Sequence, residues 1–314
     1  MSAFANYMTH KNPYKRFLFK LVILLLIIFI FDFGIGKTLE YFYFKQNSGQ
    51  LSRTTYALEN TTEDVLIFGS SRANHHYHPS VIEEQLKLSY YNVGRDGNYL
   101  FYHYAILQGV LKRYTPKLVI LDFLEEDFKA SQDSYDRISS LLPYYNSHPE
   151  IRSTVLLKSP YERIKLLSSI YPYNSLLFSI AVGNMDFNKN RSADIKGYVP
   201  LTKKWNRPLQ TLKPLVPYEL DNTKIKTFEN FLKECNKSKV KVVVVVSPYY
   251  KNAPQEDYSI IMAKEIAREN SVSFLDYSKD AAFVNSPALF SDISHLNDSG
   301  AIIFTKRLLE DLRK

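Results

Sequence analysis

The chain has 314 residues, of which 45% are hydrophobic and 23% charged, a composition ordinary for one large folded domain or a core domain with an insertion. Its net charge of +8 does not indicate nucleic-acid binding, because Lys11, Lys15, Arg16 and Lys20 supply four of the excess positive charges. The others are spread without a basic stripe. Cys235 is the only cysteine, which excludes an intrachain disulfide and C-x-x-C zinc sites.

The N-terminal segment sets the predicted compartment. Residues 21–31 are uninterrupted apolar residues, and the apolar stretch extends over 17–36 with few polar interruptions. A helix of about 20 residues spans the hydrocarbon core of a bilayer. The basic tail over residues 1–20 favours a cytoplasmic N-terminus. We therefore predict a single transmembrane signal anchor over 17–36, through which the protein associates with the membrane.

The remainder of the chain is then exported. We expect a linker over 37–62 and a catalytic domain over 63–314 on the periplasmic or cell-surface side of the membrane. A cleaved signal peptide is the alternative, since Gly34 and Gly36 have a cleavage-like spacing, and it would release a secreted domain. A third interpretation, a buried helix of a soluble protein, leaves the basic tail without a role.

An α/β pattern begins at residue 63. Short runs rich in β-branched and aromatic residues predict strands over 64–68, 88–93, 117–123, 240–246 and 272–276. Between them, helical patterns predict helices over 99–114, 224–236, 257–270 and 299–312. This alternation is typical of a flavodoxin-like three-layer sandwich with a central parallel sheet. Residues 128–222 hold eight of the 14 prolines and predict a long insertion, partly helical around 151–169.

Ser71 is the candidate nucleophile. The stretch IFGSSRA, residues 67–73, places it in a glycine-led turn directly after the first predicted strand. Ligand sites of open α/β sheets lie at the carboxyl edge of the strands, where such a turn would expose a hydroxyl group. Ser70 is the rival, because only the spacing from Gly69 separates the two serines.

Asp292 and His295 are the candidate partners of this serine. They stand three residues apart in LFSDISHLNDSGAIIF, residues 289–304, on a loop before the last predicted helix. A histidine that reaches the serine acts as general base, and an acid orients the histidine. Asn297 and Asp298 are expected to cap or stabilise the start of that helix.

These stretches resemble blocks of the SGNH/GDSL superfamily of serine hydrolases. IFGSSRA is similar to the first block, with Ser70 where an aspartate usually stands, and DISHLNDSGA is similar to the last block. The resemblance covers about residues 64–127 and 239–312. It implies a Ser71–His295–Asp292 triad.

The resemblance also implies an oxyanion hole. Residues 92–98, NVGRDGN, are similar to the second block, whose glycine amide donates to the oxyanion. Gly97 is the better match and Gly94 the alternative, and the Ser71 amide would be the other backbone donor. The third block departs from the family, because Glu126 stands where an asparagine donor belongs. Asn98, Asn74 or a residue of the insertion would have to replace that donor.

Three further residues are candidates for substrate binding. Arg72 either binds an anionic or polar group or braces the fold through a carboxylate such as Asp96. His75 either lines the pocket or lies on the surface. Glu126 either contributes favourable charge to a helix start or shapes the rim of the site. The nearby histidines lack carboxylate partners at a diagnostic spacing, so we predict neither a metal nor a cofactor.

The predicted function is ester chemistry on an extracytoplasmic acylated carbohydrate or polysaccharide. The same triad would serve an esterase or an O-acyltransferase of O-acetyl groups, the latter with a multi-span membrane acyltransferase as partner. The membrane-anchored branch of the superfamily and its polysaccharide substrates are implied by the resemblance. The alternative is a catalytically inactive envelope protein that binds glycan, which the Glu126 departure favours.

Overall fold

The protein is described here from a computed structural model that covers residues 13–185, 194–211 and 213–313. Within these residues the strands are β1 (Val65–Phe68), β2 (Tyr90–Asn92), β3 (Leu118–Asp122), β4 (Gln210–Thr211), β5 (Lys241–Val246), β6 (Lys251–Asn252) and β7 (Ser273–Asp276). Residues 1–12 of the predicted basic tail lie outside the described part of the chain.

The α-helices of the described residues fall into three groups along the chain. Those before β3 are α1 (Pro13–Phe44), α2 (Gly49–Glu59), α3 (Ser71–His76), α4 (Pro79–Leu86) and α5 (Leu100–Arg113). Those between β3 and β5 are α6 (Gln132–Asp136), α7 (Arg152–Leu156), α8 (Glu162–Lys165), α9 (Leu177–Gly183) and α10 (Asn222–Lys237). The last three are α11 (Tyr258–Glu269), α12 (Ala281–Val284) and α13 (Asp298–Asp311).

A five-stranded parallel sheet forms the centre of the domain. Its strand order is β2-β1-β3-β5-β7, with Leu66 opposite Val119 and Ile120 opposite Val243. Counted within the sheet, this is the 2-1-3-4-5 order of flavodoxin-like folds. The predicted α/β class with a central parallel sheet is confirmed.

Both faces of the sheet are covered. Along β5, Val242, Val244 and Val246 belong to one buried cluster, while Val243 and Val245 belong to the other. The first cluster includes side chains of α5, α10 and α11, and the second includes side chains of α4 and α13. Because alternate residues of a strand point to opposite faces, a strand covered on both faces must be apolar throughout. The run of five valines meets that requirement.

In its described residues, the segment between β3 and α10 follows no strand-helix rhythm. It consists of α6 to α9 together with 3₁₀ helices at Arg137–Tyr144, Pro149–Ile151 and Tyr171–Leu176. A short strand from it, β4, pairs in parallel with β6 outside the main sheet. We call residues 128–185 the insertion segment. Its short helices agree with the partly helical character that the sequence predicts.

Most of the segment 37–62, which the sequence analysis expects to be a linker, is helical and packed. Leu51, Ala57 and Leu58 of α2 are buried in the main core. The hydroxyl of Thr54 lies 3.0 Å from the hydroxyl of Tyr102, which fixes α2 on α5. The folded domain therefore includes residues assigned to the linker.

Helix α1 is the one described helix that is long and apolar enough to cross a membrane by length and composition. Its most apolar stretch is not buried against the rest of the protein. This agrees with a membrane anchor or a signal sequence. At its C-terminal end α1 turns one face to the protein, where Gly36 and Tyr43 are buried.

Candidate active site

The turn after β1 positions the candidate nucleophile. Gly69 has φ +141, and a Cβ atom there would lie 2.8 Å from the backbone oxygen of Asp122 and 2.9 Å from the Ala73 Cβ. Only glycine fits this conformation and this close approach. The chain then enters α3 with Ser70 as N-cap and Ser71 as the first helical residue. This places Ser71 at the carboxyl edge of the sheet, beside β3, where the strand order reverses.

Ser71, His295 and Asp292 lie in hydrogen-bonding contact. The Ser71 Oγ is 2.7 Å from His295 Nε2. The other ring nitrogen, Nδ1, is 2.9 Å from Asp292 Oδ2 and 3.0 Å from Oδ1. The two ends of the chain thus converge in the order nucleophile, base and acid that a serine hydrolase requires.

The Asp292 carboxylate fixes which ring nitrogen of His295 faces Ser71. Burial opposes its ionisation, but hydrogen bonds from the His295 ring and from the amides of Ser294 and His295 outweigh burial and lower the pKa to about 2. Asp292 is therefore an acceptor at neutral pH. The His295 Nδ1 carries a proton that it donates to Asp292, which leaves Nε2 free to accept the proton of the Ser71 hydroxyl.

Local hydrogen bonds shape the loop that carries Asp292 and His295. Asp292 Oδ1 accepts from the amides of Ser294 and His295 at 2.8 and 2.9 Å. The loop then enters α13, where the side chain of Asn297 caps the helix by accepting from the Gly300 amide at 3.0 Å. The predicted capping role of Asn297 is confirmed.

A buried histidine supports this loop, in a role that the sequence did not predict for it. His76 Nε2 accepts from the Leu296 amide at 2.9 Å, so its Nδ1 carries the proton and donates to Ser247 Oγ at 2.8 Å. Burial, reinforced by the nearby charges of Arg72, His295 and His75, lowers the pKa of His76 well below its usual value. His76 is a neutral connector between α3, the end of β5 and the backbone next to His295.

Arg72 is an internal brace in this structure. Its guanidinium group is 2% exposed and forms an ion pair with Asp122 at 2.9 Å. Its Nη atoms also donate to the carbonyl oxygens of Ser247 and Phe123 at 2.9 and 2.7 Å. The carboxylate that it binds is therefore Asp122 and not Asp96, which instead accepts from Asn74. Arg72 also borders the cavity beside Ser71, so its part in substrate binding stays a prediction.

A cavity of about 450 Å³ opens beside the Ser71 hydroxyl. Ser71 and His295 line it together with Leu124, Tyr249 and Lys251. The Tyr249 ring is contacted by the Arg72 guanidinium at 4.0 Å and by the Lys251 ammonium at 4.1 Å. Tyr249 and Lys251 follow β5 and therefore lie at the carboxyl edge of the sheet, where ligand sites of such folds are found. Their place after a predicted strand is the feature of the sequence that could have identified them.

Glu126 lies on the rim of this cavity. Its backbone has φ +58, its amide donates to Asp257 Oδ1 at 3.0 Å, and its carboxylate accepts from Lys129 at 2.9 Å. The side chain is about half exposed. A carboxylate at this point cannot donate a hydrogen bond to an oxyanion.

Apart from Ser71, the residues named as candidate oxyanion donors are not among those that line this cavity. Neither Gly97 nor Asn98 lines the cavity at Ser71. The side chain of Asn98 is buried, donates to the carbonyl oxygen of Asp96 at 3.3 Å and accepts from Ser140 at 3.0 Å. Asn74 donates to Asp96, and the Gly94 amide donates to Asn92 Oδ1 at 2.9 Å. The side-chain amides of Asn98 and Asn74 and the Gly94 N–H thus have protein acceptors, and the Gly97 assignment stays a prediction.

His75 contacts the triad through its ring. Its centroid lies 5.4 Å from that of His295 in an edge-to-face arrangement, and its Nδ1 donates to the Val199 carbonyl at 2.7 Å. Burial lowers the pKa of His75. Its role in substrate binding stays a prediction. Within residues 13–185, 194–211 and 213–313, no group of three or more His, Cys, Asp or Glu residues is arranged to hold a metal ion.

Comparison with known proteins gives only distant structural likenesses. No family model matches the chain, and no curated protein does. One similar solved structure is an acetyl xylan esterase, with 14% identity, a TM-score of 0.40, and 79% of this chain and 99% of that chain covered. Another, from Bacteroides fragilis and assigned as an acylhydrolase, has 13% identity, a TM-score of 0.41, and coverage of 83% and 95%.

A third is an acetyl xylan esterase from the rumen bacterium Butyrivibrio proteoclasticus. It has 8% identity, a TM-score of 0.32, and coverage of 80% of this chain and 64% of that chain. Scores and identities of this size do not determine what the chain does. The geometry around Ser71 is the observation that bears on the function of the chain.

Proposed function

We propose that this protein is a serine esterase or O-acyltransferase of the SGNH/GDSL type that acts on O-acetyl groups of an extracytoplasmic polysaccharide. The observation that carries the proposal is the unbroken chain of contacts from Ser71 Oγ to His295 Nε2 at 2.7 Å and from His295 Nδ1 to Asp292 at 2.9 Å. It lies beside a cavity large enough for an acyl group and part of a sugar.

In the proposed reaction, Ser71 Oγ attacks the ester carbonyl carbon while His295 Nε2 takes the hydroxyl proton. The tetrahedral intermediate collapses when His295 returns that proton to the departing sugar oxygen, which leaves an acetyl group on Ser71. Water, or a second sugar hydroxyl, then attacks the acyl-enzyme with His295 again as base. Water gives an esterase and a sugar hydroxyl gives a transferase. Asp292 stabilises the imidazolium in both steps.

The oxyanion would form near the start of α3. The first amides of a helix have no acceptor within the helix, so the Ser71 N–H is suited to receive negative charge. The Gly97 amide is the second proposed donor, from the resemblance. The absence of an asparagine at position 126 predicts a slower enzyme, because losing one such donor costs about 3–4 kcal/mol of transition-state stabilisation.

The proposed location follows from α1. An apolar helix preceded by basic residues supports a single-pass anchor with the domain outside the cytoplasm. Such a tether favours a substrate of the cell envelope or an exported polysaccharide. If the reaction is transfer, a multi-span membrane acyltransferase is the proposed partner that supplies acetyl groups.

The decisive test is labelling by a fluorophosphonate probe of the full chain in detergent micelles. We expect the wild type to be labelled and Ser71→Ala to be unlabelled. The matched control is Ser70→Ala, which removes the neighbouring hydroxyl and should label normally. Labelling of Ser71→Ala at the wild-type level, or none of a folded wild type, would reject the triad. The second of these outcomes would favour the glycan-binding alternative.

A second measurement separates the two acceptors. Release of acetate from an acetylated polysaccharide in water indicates an esterase. Movement of labelled acetyl groups from an acetyl donor to an unmodified glycan, with little free acetate, indicates a transferase. Ser71→Ala should abolish whichever product the wild type forms.

A further inference from the structure

The insertion segment exposes a group of large apolar side chains. Leu167 and Phe178 are each 80% exposed, Ile164 is 68% exposed and Tyr161 is 64% exposed. Single exposed apolar residues are common on soluble proteins, but several within 18 residues mark a surface that contacts something else. We call these four residues, with Leu177, the apolar surface of the insertion.

This surface is fixed to the outer end of α1. The Asp32 carboxylate accepts from the Ser168 hydroxyl and from the Ser169 amide at 2.6 Å. Further along, the side-chain amide of Asn184 donates to the Phe42 carbonyl oxygen at 2.8 Å. The insertion segment is therefore attached to α1 at two points, one within the apolar surface at residues 168–169 and one beyond it at residue 184.

The attachment point sets the depth of the surface. The apolar stretch of α1 ends near residue 36, so Asp32 lies at the outer boundary of the hydrocarbon core if α1 crosses a bilayer. A carboxylate at that depth requires hydrogen-bond donors, and the insertion supplies them. Residues 168–170 must then lie at the lipid headgroups, and Leu167, one residue away, must lie there as well.

The charges of the same segment suit such a location. Between Leu157 and Ala181 the only acidic residue is Glu162, whose side chain is fully buried and bonded to Lys165 at 2.9 Å. The segment also carries Lys158 and Arg163. Apolar and aromatic side chains interspersed with basic residues, without exposed acids, are typical of protein surfaces that lie in the interface of a membrane with anionic lipids.

We propose that the apolar surface of the insertion lies in the outer interface of the membrane that α1 crosses. The domain would then be held by two contacts, α1 and this surface, rather than swing on a single helix. This fixes the height and orientation of the Ser71 cavity above the lipid. The inference rests on the membrane anchor proposed above and does not require that the triad be active.

The test is fluorescence quenching in lipid nanodiscs that contain the full chain. A polarity-sensitive dye is attached to Leu167→Cys, Phe178→Cys or Ile303→Cys, the last an exposed apolar position on α13 and the matched control. The native Cys235 is buried, and the unsubstituted protein measures its background labelling. Ile27→Cys, within α1, reports whether the anchor is inserted.

Because interfacial side chains lie about 5–10 Å into the headgroup boundary, spin labels near the headgroup should quench the dyes at positions 167 and 178. Spin labels deep in the acyl chains should quench the dye at position 27, which lies near the middle of the bilayer if α1 is inserted. The dyes at positions 167 and 178 should also shift to shorter emission wavelengths, while the dye at position 303 does neither. Quenching at position 27 without quenching at 167 and 178 would overturn the proposal and leave the anchor intact. Lack of quenching at position 27 would overturn both. If the dyes at positions 167 and 178 shift to shorter wavelengths only when the protein is dimeric, and lipid spin labels do not quench them, the apolar surface contacts a second copy of the protein. That outcome would also overturn the proposal.

Discussion

At the scale of single residues, the orientation of His295 depends on groups outside the triad. Asp292 holds the ring from one side, and the backbone that follows His295 is held by His76 Nε2 through the Leu296 amide. His76 is in turn oriented by Ser247. A small displacement of a general base lowers the rate steeply, so His76 is a positioning residue for the proposed reaction.

His76→Ala should therefore impair turnover more than binding. It leaves the buried Leu296 amide without its acceptor, at a cost of about 1–3 kcal/mol. We expect kcat for ester hydrolysis to fall by about 10- to 100-fold with KM nearly unchanged, because the base moves and the cavity does not. His76→Gln, whose side-chain oxygen can accept from the same amide, should recover much of the loss.

The matched control for that experiment is His78→Ala, which removes a partly exposed histidine two residues away. It should leave kcat close to the wild-type value. The measurement is steady-state hydrolysis of an activated acetyl ester, with thermal unfolding of each variant recorded alongside. A His76→Ala variant with unchanged kcat, or a His76→Gln variant no better than His76→Ala, would contradict the positioning role.

The residues that the sequence identified are those with short-range signatures. Ser71 follows a strand and a glycine, and Asp292 and His295 stand three apart before a helix, so local patterns place all three. His76, Ser247 and Tyr249 have no such signature. Their contacts join residues more than 170 positions apart in the case of His76 and Ser247, and only the folded sheet brings those together.

At the scale of elements, the contact between α1 and the insertion requires a glycine. A Cβ atom at Gly36 would lie 2.4 Å from the Ser169 Cβ and 2.5 Å from its backbone. A Cβ atom at Gly34, two residues earlier in the same helix, would have no neighbouring atom within 4 Å. The two glycines therefore form an internal comparison between a packed site and an open one.

Gly36→Ala should loosen the insertion and Gly34→Ala should not. Overpacking a close contact costs about 1–3 kcal/mol, which corresponds to about 5- to 150-fold more opening of the contact. We expect trypsin to cleave the Gly36→Ala variant after Arg163 faster by a factor in that range. Equal cleavage rates in the two variants, measured on the full chain in detergent micelles, would show that this contact does not hold the insertion.

Local sequence also determined most elements but not α2. The five predicted strands all form, and their ends agree with the prediction within about two residues. The helices predicted over 99–114, 224–236, 257–270 and 299–312 also form. Helix α2 lies in the segment expected to be a linker, and its serine, threonine and glycine residues have weak helix propensity. The helix is stabilised by residues distant in sequence. The hydroxyl of Thr54 forms a hydrogen bond with that of Tyr102, and the hydroxyl of Thr55 forms one with that of Tyr144.

At the scale of the whole molecule, the parallel sheet gathers the ends of its strands at one edge. Gly69 after β1, Asp122 at the end of β3 and Ser247 after β5 meet there, and Arg72 bonds to the last two. The buried charge at this edge is therefore largely compensated. Asp127, a few residues beyond β3, is the exception that should make global stability depend on pH.

Burial raises the pKa of Asp127 to about 7, and the hydrogen bond from the Leu124 amide at 3.3 Å only partly offsets this. The unfolded chain releases this proton near 3.8. The folded state thus binds more protons between these values. The contribution of the Asp127 carboxyl group to the free energy of unfolding is fully present below about pH 4 and is lost as the pH rises through about 7.

Asp127→Asn removes this dependence, because an amide is neutral at every pH and its oxygen can still accept from Leu124. The free energy of unfolding of the variant relative to the wild type should rise between pH 5 and pH 8. The rise should be about 3 kcal/mol, because about two pH units separate pH 5 from the folded pKa of about 7 and each unit corresponds to about 1.4 kcal/mol. Urea unfolding of the full chain in detergent micelles at the two pH values measures it, with the exposed Asp136→Asn as control. An equal effect of Asp127→Asn at both pH values would mean that the carboxyl group is already ionised at pH 5, and that the polar groups around it stabilise its charge more than burial opposes it.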